Sequence, residues 1–370
     1  MPFINDKLKS YQVNVADEKK EDLNNEGEHR RSRITTVKTR FSFNPSSIKQ
    51  SLKRAIFGQD QMIEKVSDML NIVHADITEK DRPLYVAMFL GPTGVGKTET
   101  VKVIADSIYG DQEAFSRIDM NTLAQEHYAA AITGAPPGYV GSKEGTTVFN
   151  EEKIAGSFSK PGIVLLDEIE KADSSVLQSL LNVFDNGKMV LTNGERVIDF
   201  RNSMIFMTSN LGSRQIFEFV DSDIKSKLKR IFYRLIPSNW GKSDNFILQK
   251  IVKKQLEKNF SPEFLNRIDD KIIFNWLGPE SFNPIVDKLI SNLNTRLEKH
   301  LCQINLDESA KKFIVKQGFD KHYGARAMRR QIRKHLEVPL AKILVKRQGA
   351  TSHILYRVTT NNNELKFEEV

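Results

Sequence analysis

Three stretches of the chain are apolar without interruption: YVAMFL from Tyr85, IVLL from Ile163 and MIFM from Met204. Each has the length of a strand and is too short for an ordinary helix, and amphipathic stretches separate them. Continuous apolar strands alternating with helices predict an α/β fold, a parallel sheet covered by helices on both faces. Before the first strand, SSIKQSLKRAIFG reads as a capped helix. A second helix follows, with an apolar stripe through Met62, Val66, Met69, Ile72 and Val73. Lys97 to about Tyr109 reads as the helix after the first strand, and FSRIDM as a further strand.

The pattern changes past KIIFNW. Leu277 to about Gly349 reads as helices, and SHILYRVTTNNNELKFEEV as two strands around an Asn-rich turn. Within the α/β part, KMVLTNGERVIDF carries Asn193-Gly194 between alternating apolar residues, a strong hairpin signal. Residues 1–45 offer no apolar face and read as a flexible charged tail. The expected organisation is therefore a tail over 1–45, a large α/β domain over 46–275 and a small, mainly helical domain over 276–370 that ends in a short β-hairpin.

Composition narrows the class. Of 370 residues, 39% are hydrophobic and 28% charged, as in a soluble globular protein. The net charge of +8 permits an acidic or nucleic-acid partner without selecting one. A single cysteine, Cys302, excludes an internal disulfide and a multi-cysteine zinc site, and is expected to be a buried thiol. The start has no apolar core of signal-peptide length, and no run approaches the roughly 18 residues of a membrane span. A cytoplasmic location without membrane insertion is the expectation.

The chemistry lies at the ends of the apolar strands. GPTGVGKT, Gly91–Thr98, joins the first strand to a helix and has the spacing of a phosphate-binding loop. Its glycines let backbone N–H groups turn inward, and the helix N-terminus adds partial positive charge. Lys97 would reach the β- and γ-phosphates, and the Thr98 hydroxyl would bind Mg²⁺. The acidic pair after IVLL puts Asp167 on the metal and Glu168 on the attacking water. Asn210, in TSN, is a candidate for orienting that water; a plain turn residue is the alternative reading.

Together these stretches resemble the AAA+ ATPases, and within them the Clp unfoldases, closest to the second ATPase module of ClpA and ClpB. The resemblance rests on GQD at Gly58, FLGPTGVGKTE, GAPPGYVG, IVLLDEIEKA, VIDFRNSMIFMTSNLGS, FSPEFLNRID and GARAMRR, in the family's order from about Ile56 to Leu344. It implies an ATP-hydrolysing AAA+ domain with Mg²⁺. Ile56 and Phe57 would lie against the base, and Gly91, Pro92, Thr93, Gly94, Val95, Gly96, Lys97, Thr98 and Glu99 along the phosphates. It implies that Arg267 is an arginine finger reaching a neighbouring subunit's site. Arg326 would be a sensor contacting the γ-phosphate in its own subunit. Arg329 and Arg330 are left as surface or interface charge. Gly138, Tyr139, Val140 and Gly141 would form a pore loop in which Tyr139 grips an extended polypeptide. The hairpin of NGER would face the same pore.

The resemblance thus implies a homo-oligomer, a hexameric ring, that unfolds or remodels polypeptide. The chain departs from the family in three ways. The loop continues GYVGSKEGTT, with Ser142 and Lys143 making it more polar. A single ATPase module is present, so delivery of substrate falls to the tail or an adaptor. The Ile-Gly-Phe or Ile-Gly-Leu signature of peptidase docking is absent from Leu211 to Phe260, so a ClpP partner is not expected. An AAA+ ATPase acting on nucleic acid is the alternative, motivated by the net charge.

Overall fold

The computed structural model describes residues 38–123, 149–190, 197–213, 244–319, 324–346, 353–361 and 364–369. All of these but Lys38 belong to one unit, Thr39–Val370. The pore-loop residues Gly138, Tyr139, Val140 and Gly141, the NGER tip and most of the stretch between Leu211 and Phe260 lie outside the described residues.

Helix α1 (Pro45–Ala55) starts where Asn44 Oδ1 accepts from the Ser46 and Ser47 N–H groups, with Pro45 preset for the first turn. Just before it, Phe41 and Phe43, read from sequence as part of the tail, are buried in the core. Helix α2 (Asp60–His74) buries Met62, Ile63, Val66, Met69, Leu70 and Val73. Ile72 is 39% exposed, against expectation. At 3.6 residues per turn it points roughly 120° from the centre of the buried arc, and Ile63 and Leu70 complete the stripe instead.

Strand β1 (Tyr85–Leu90) leads through the glycine loop into α3 (Lys97–Tyr109), which ends at Gly110 in the left-handed region. Then come β2 (Ser116–Asp119), α4 (Glu151–Ala155), β3 (Gly162–Asp167) and α5 (Ser174–Asn186), capped by Asp173 and closed by Gly187. Strands β4 (Lys188–Val190) and β5 (Val197–Asp199) pair antiparallel as the foot of the expected hairpin. Strand β6 (Ser203–Ser209), α6 (Asp244–Asn259), α7 (Pro262–Asn266) and β7 (Asp270–Ile273) complete this part.

The five-stranded sheet has the order β2-β3-β6-β1-β7 and is parallel throughout. Alternate residues of the central strands serve two cores. Ala87, Phe89, Leu165 and Phe206 face one, and Val86, Met88, Leu166 and Met207 the other. In the first, the Phe89 ring lies 5.4 Å from Phe206 and 5.2 Å from Phe274. Because all strands run the same way, their carboxyl ends share one rim, where β1, β3 and β6 deliver the glycine loop, the acidic pair and Asn210.

The C-terminal part holds α8 (Phe282–Leu297), β8 (Cys302–Leu306), α9 (Glu308–Gly318), α10 (Gly324–Ile332), α11 (Val338–Lys346), β9 (Ile354–Asn361) and β10 (Glu364–Glu369). The expected terminal hairpin, β9-β10, is present. Strand β8 is an addition to the all-helical reading of Leu277–Gly349, and it pairs parallel with β9. Cys302, Ile304 and Leu306 alternate inward over only five residues, a period easily lost between two long helices. The Cys302 thiol is buried, as expected.

Candidate nucleotide site

A cavity of about 400 Å³ opens at the carboxyl rim of the sheet. Its apolar end is lined by Ala55, Ile56, Phe57, Leu277, Ile285 and Leu289, and its polar end by Pro92–Thr98, Asp167, Glu168 and Asn210. The chain folds this way locally because α1 stops at Ala55, leaving Ile56 extended. Buried Gln59 then pins the segment: its Nε2 donates to Asn275 O and its Oε1 accepts from Asn275 N, both at 2.8 Å.

The glycine loop takes its shape from Gly91, Gly94 and Gly96, with φ of 144°, 77° and 108°. At Gly91 a Cβ would come within 2.6 Å of Phe274 O, so both conformation and space call for glycine. Lys97 is buried, and its Nζ donates to Gly91 O at 2.5 Å, Pro92 O at 2.8 Å and Asn210 Oδ1 at 2.8 Å. Burial pushes its ammonium down to about 8, the nearby Arg326 adding to this against the attraction of Glu170, Asp167 and Glu168. A buried cation satisfied only by neutral oxygens, beside the N-terminus of α3, is a site suited to an anion.

The acidic pair is organised by Thr208, whose importance the sequence reading missed. Its hydroxyl donates to Asp167 and accepts from the Glu168 N–H at 3.0 Å. Glu168 sits at φ 56°, ψ 52°, an uncommon conformation for a residue with a side chain. Two further partners come from β2 and the turn after it. Arg117 Nη2 donates to Asp167 Oδ2 at 2.6 Å, and the Asn121 side-chain amide donates to Glu168 Oε2. Asn210 accepts from Lys97 through its side chain, while its backbone N–H donates to Glu170 Oε1 at 3.0 Å. No motif signals Arg117 or Asn121; strand order alone brings β2 beside β3.

The C-terminal part closes the cavity. The Ala325 N–H donates to Gly94 O at 3.1 Å, and a Cβ on Gly324 would lie 2.8 Å from the same oxygen. Arg326 lines the cavity with its one-turn neighbour Arg329, expected from sequence to be surface or interface charge. Glu99 also lines it, with its carboxylate 2.7 Å from Lys288 Nζ on α8. Arg267 does not line this cavity. It caps α7, and its Nε lies 2.7 Å from Asp185 Oδ1 on α5. Asp269, two residues on, accepts from the Val86 N–H at 2.8 Å and fixes this segment against β1.

Fold and site together define a P-loop nucleotide hydrolase with a helical lid. Residues 82–271 match the AAA domain (Cdc48 subfamily), and residues 277–355 match the C-terminal, D2-small domain of ClpB protein. The chain is 46% identical over 314 residues to an "ATP-dependent protease ATP-binding subunit-like protein AmiB" of Pseudomonas aeruginosa, covering 85% of this chain and 83% of that one. It is 41% identical to an "ATP-dependent protease ATP-binding subunit-like protein" of Rhodococcus erythropolis, covering 81% and 83%. With the chaperone protein ClpB of Aquifex aeolicus it shares 36% identity over 84% of its own length but 29% of ClpB's. The chain belongs to the Clp family of AAA+ ATPases, and it is an ATP hydrolase. Among the described residues no helix is long and apolar enough to cross a membrane.

Proposed function

We propose that this protein is an ATP-driven polypeptide unfoldase or remodelling chaperone of the cytoplasm, working as a ring of identical subunits, with a large domain over 46–275 and a small one over 276–370. The observation that carries the reading is the docking of α10 on the glycine loop. Ala325 bonds to Gly94, and Arg326 enters the cavity from the C-terminal part. A change in phosphate occupancy is therefore felt directly by the C-terminal part of the subunit, which is what a motor needs to turn hydrolysis into movement.

In this reading Ile56 and Phe57 hold the base, and the backbone of Gly91–Gly96 cradles the phosphates. Lys97 exchanges its carbonyl partners for phosphate oxygens. Thr98 and Asp167 would hold Mg²⁺, whose chemistry is to neutralise phosphate charge. The donor set fits a hard cation: one hydroxyl and one carboxylate, the latter held by buried Thr208 and half-exposed Arg117. Glu168 takes a proton from the attacking water, Asn210 orients that water, and Arg326 contacts the γ-phosphate. Arg267, outside its own cavity and held by Asp185, would leave that partner to serve a neighbour's site. Tyr139, between Gly138 and Gly141, grips the polypeptide.

Release without a ClpP-type peptidase is part of the proposal, resting on the missing docking signature; the AmiB-like relative carries a protease-subunit name, so the test includes a peptidase. Turnover of wild type and Tyr139→Ala is measured alone, with unfolded polypeptide, with single-stranded nucleic acid, and with a ClpP-type peptidase. Stimulation by polypeptide, lost in Tyr139→Ala at an unchanged basal rate, is the expected result. Stimulation by nucleic acid alone would transfer the engine to a different load. Degradation of the polypeptide by added peptidase would overturn independence from it.

A further inference from the structure

Helix α8 presents Ile285, Lys288, Leu289 and Asn292 to the cavity, positions i, i+3, i+4 and i+7 of one face. Ile285 and Leu289 continue the apolar wall. Lys288 is the charged member between them, and it is not idle. Its ammonium donates to Glu99 Oε1 at 2.7 Å on the first turn of α3, and to Ala55 O at 3.3 Å at the last residue of α1. One side chain from the C-terminal part therefore ties the helix that begins at the phosphates to the segment that forms the apolar end.

We propose that Lys288 is a positioning residue that keeps the base end of the nucleotide cavity closed. This rests on the cavity being the ATP site. Three elements meet around the base: Ile56 and Phe57 after α1, the start of α3, and α8. The first two are joined within the large part, where Ile56 packs over Gly96. The third arrives from the C-terminal part and holds its distance through Lys288. Apolar contact alone permits α8 to slide, because it is non-directional. A cation shared between a carboxylate and a backbone carbonyl sets the approach. The helix does not depend on Lys288 for folding. Gln59 and Asn275 bond in both directions nearby, Gly58 and Ser281 are in close approach, and Ala325 bonds to Gly94. Lys288 therefore acts on occupancy of the site and leaves the reacting phosphate to other residues.

The size of the effect follows from exposure. The two side chains are 30% and 42% exposed, so the pair is screened and worth about a two- to fivefold change in affinity. The effect should lie in nucleotide departure, since a closed wall retards leaving more than arrival.

The test compares wild type, Lys288→Ala, Lys288→Met, Lys288→Arg and Lys97→Ala. It measures steady-state turnover, stopped-flow release of a fluorescent ADP and thermal melting. The inference expects Lys288→Ala and Lys288→Met to raise KM for ATP and the ADP off-rate about two- to fivefold. Their kcat should stay within about twofold and their melting near wild type, and Lys288→Arg should restore both constants. High salt should bring wild type toward the alanine variant. An unchanged KM and off-rate in Lys288→Ala, while Lys97→Ala binds more weakly than wild type, would overturn this inference and leave the site reading intact. A fall in kcat at constant KM would also overturn it. Binding as tight as wild type in Lys97→Ala would remove the site reading itself, and this inference with it.

Discussion

Replacing Lys97 by methionine isolates what a buried ammonium does for this site. The side chain keeps most of its length and loses its charge. In the free protein the ammonium is buried and bonded to Gly91 O, Pro92 O and Asn210 Oδ1. Its value falls from 10.5 to about 8, mainly through burial. That gap corresponds to roughly 3 kcal/mol by which the protonated form is disfavoured in the folded protein at neutral pH. The sign follows from proton binding. Between about 8 and 10.5 the unfolded chain holds more protons than the folded one, so free-protein stability rises through that window. Below it both states are protonated and the cost is at its full value. Bound phosphate supplies the missing counter-charge.

A charge-assisted contact to phosphate is worth roughly 1.5–3 kcal/mol, so Lys97→Met should weaken ATP and ADP about 10- to 150-fold. At a ligand concentration 100 times the wild-type Kd, wild type gains about 2.7 kcal/mol of stability and the variant about 1.4 kcal/mol or less. Differential scanning calorimetry with and without ADP reads this directly. Repeating it from pH 7 to 9.5 adds a second reading. Wild-type affinity should weaken above about pH 8, because the ligand must then recruit a proton onto Lys97, while the variant's affinity should not change through that step. A variant that retains the full ligand-induced shift, or a wild type whose affinity is flat across this range, would refute the argument.

Glu168→Gln should bind ATP and hydrolyse it at least about 100-fold more slowly, because it loses the base; turnover near wild type in a phosphate-release assay would remove Glu168 from that role. Arg267→Ala and Lys97→Ala should each be inactive alone and regain partial turnover when mixed, since a Lys97→Ala subunit still offers Arg267 to a neighbour whose own Lys97 is intact; no recovery at any ratio would exclude action between subunits. Asn121→Ala frees the Glu168 carboxylate from its amide partner, so basal turnover should rise and stimulation by polypeptide shrink; unchanged rates would make that contact incidental. Gly324→Ala places a Cβ 2.8 Å from Gly94 O at a residue with φ 48°, so it should lower the melting temperature by a few degrees, from about 1–3 kcal/mol of strain, and raise KM for ATP.

The chemistry carried by adjacent residues was legible in the chain. Gly91–Thr98 needs its glycines, lysine and threonine within eight positions, because one turn and one helix end do the work, and the structure builds that turn between β1 and α3. Asp167 and Glu168 follow an apolar run because a buried strand must end before a carboxylate can meet solvent. Helix α1 was legible as a capped helix in SSIKQSLKRAIFG, and the structure puts its cap at Asn44. Each of these is a local competition between backbone geometry, capping and burial, and a window of ten residues contains it.

What the tertiary structure decided is which distant side chains complete those local pieces. Thr208 couples the acidic pair only because β6 lies beside β3, and Arg117 reaches Asp167 only because β2 lies on β3's other side. Strand β8 becomes a strand by pairing with β9, which begins about fifty residues later. Arg329, surface or interface charge by sequence, lines the cavity because α10 docks on Gly94. Lys288 is an unremarkable position on an amphipathic helix until that docking brings it to Glu99 and Ala55. An ammonium's interaction is largely screened beyond about 8–10 Å at physiological ionic strength. Its role is therefore fixed by what lies beside it in three dimensions, which strand order and helix docking set and sequence spacing does not.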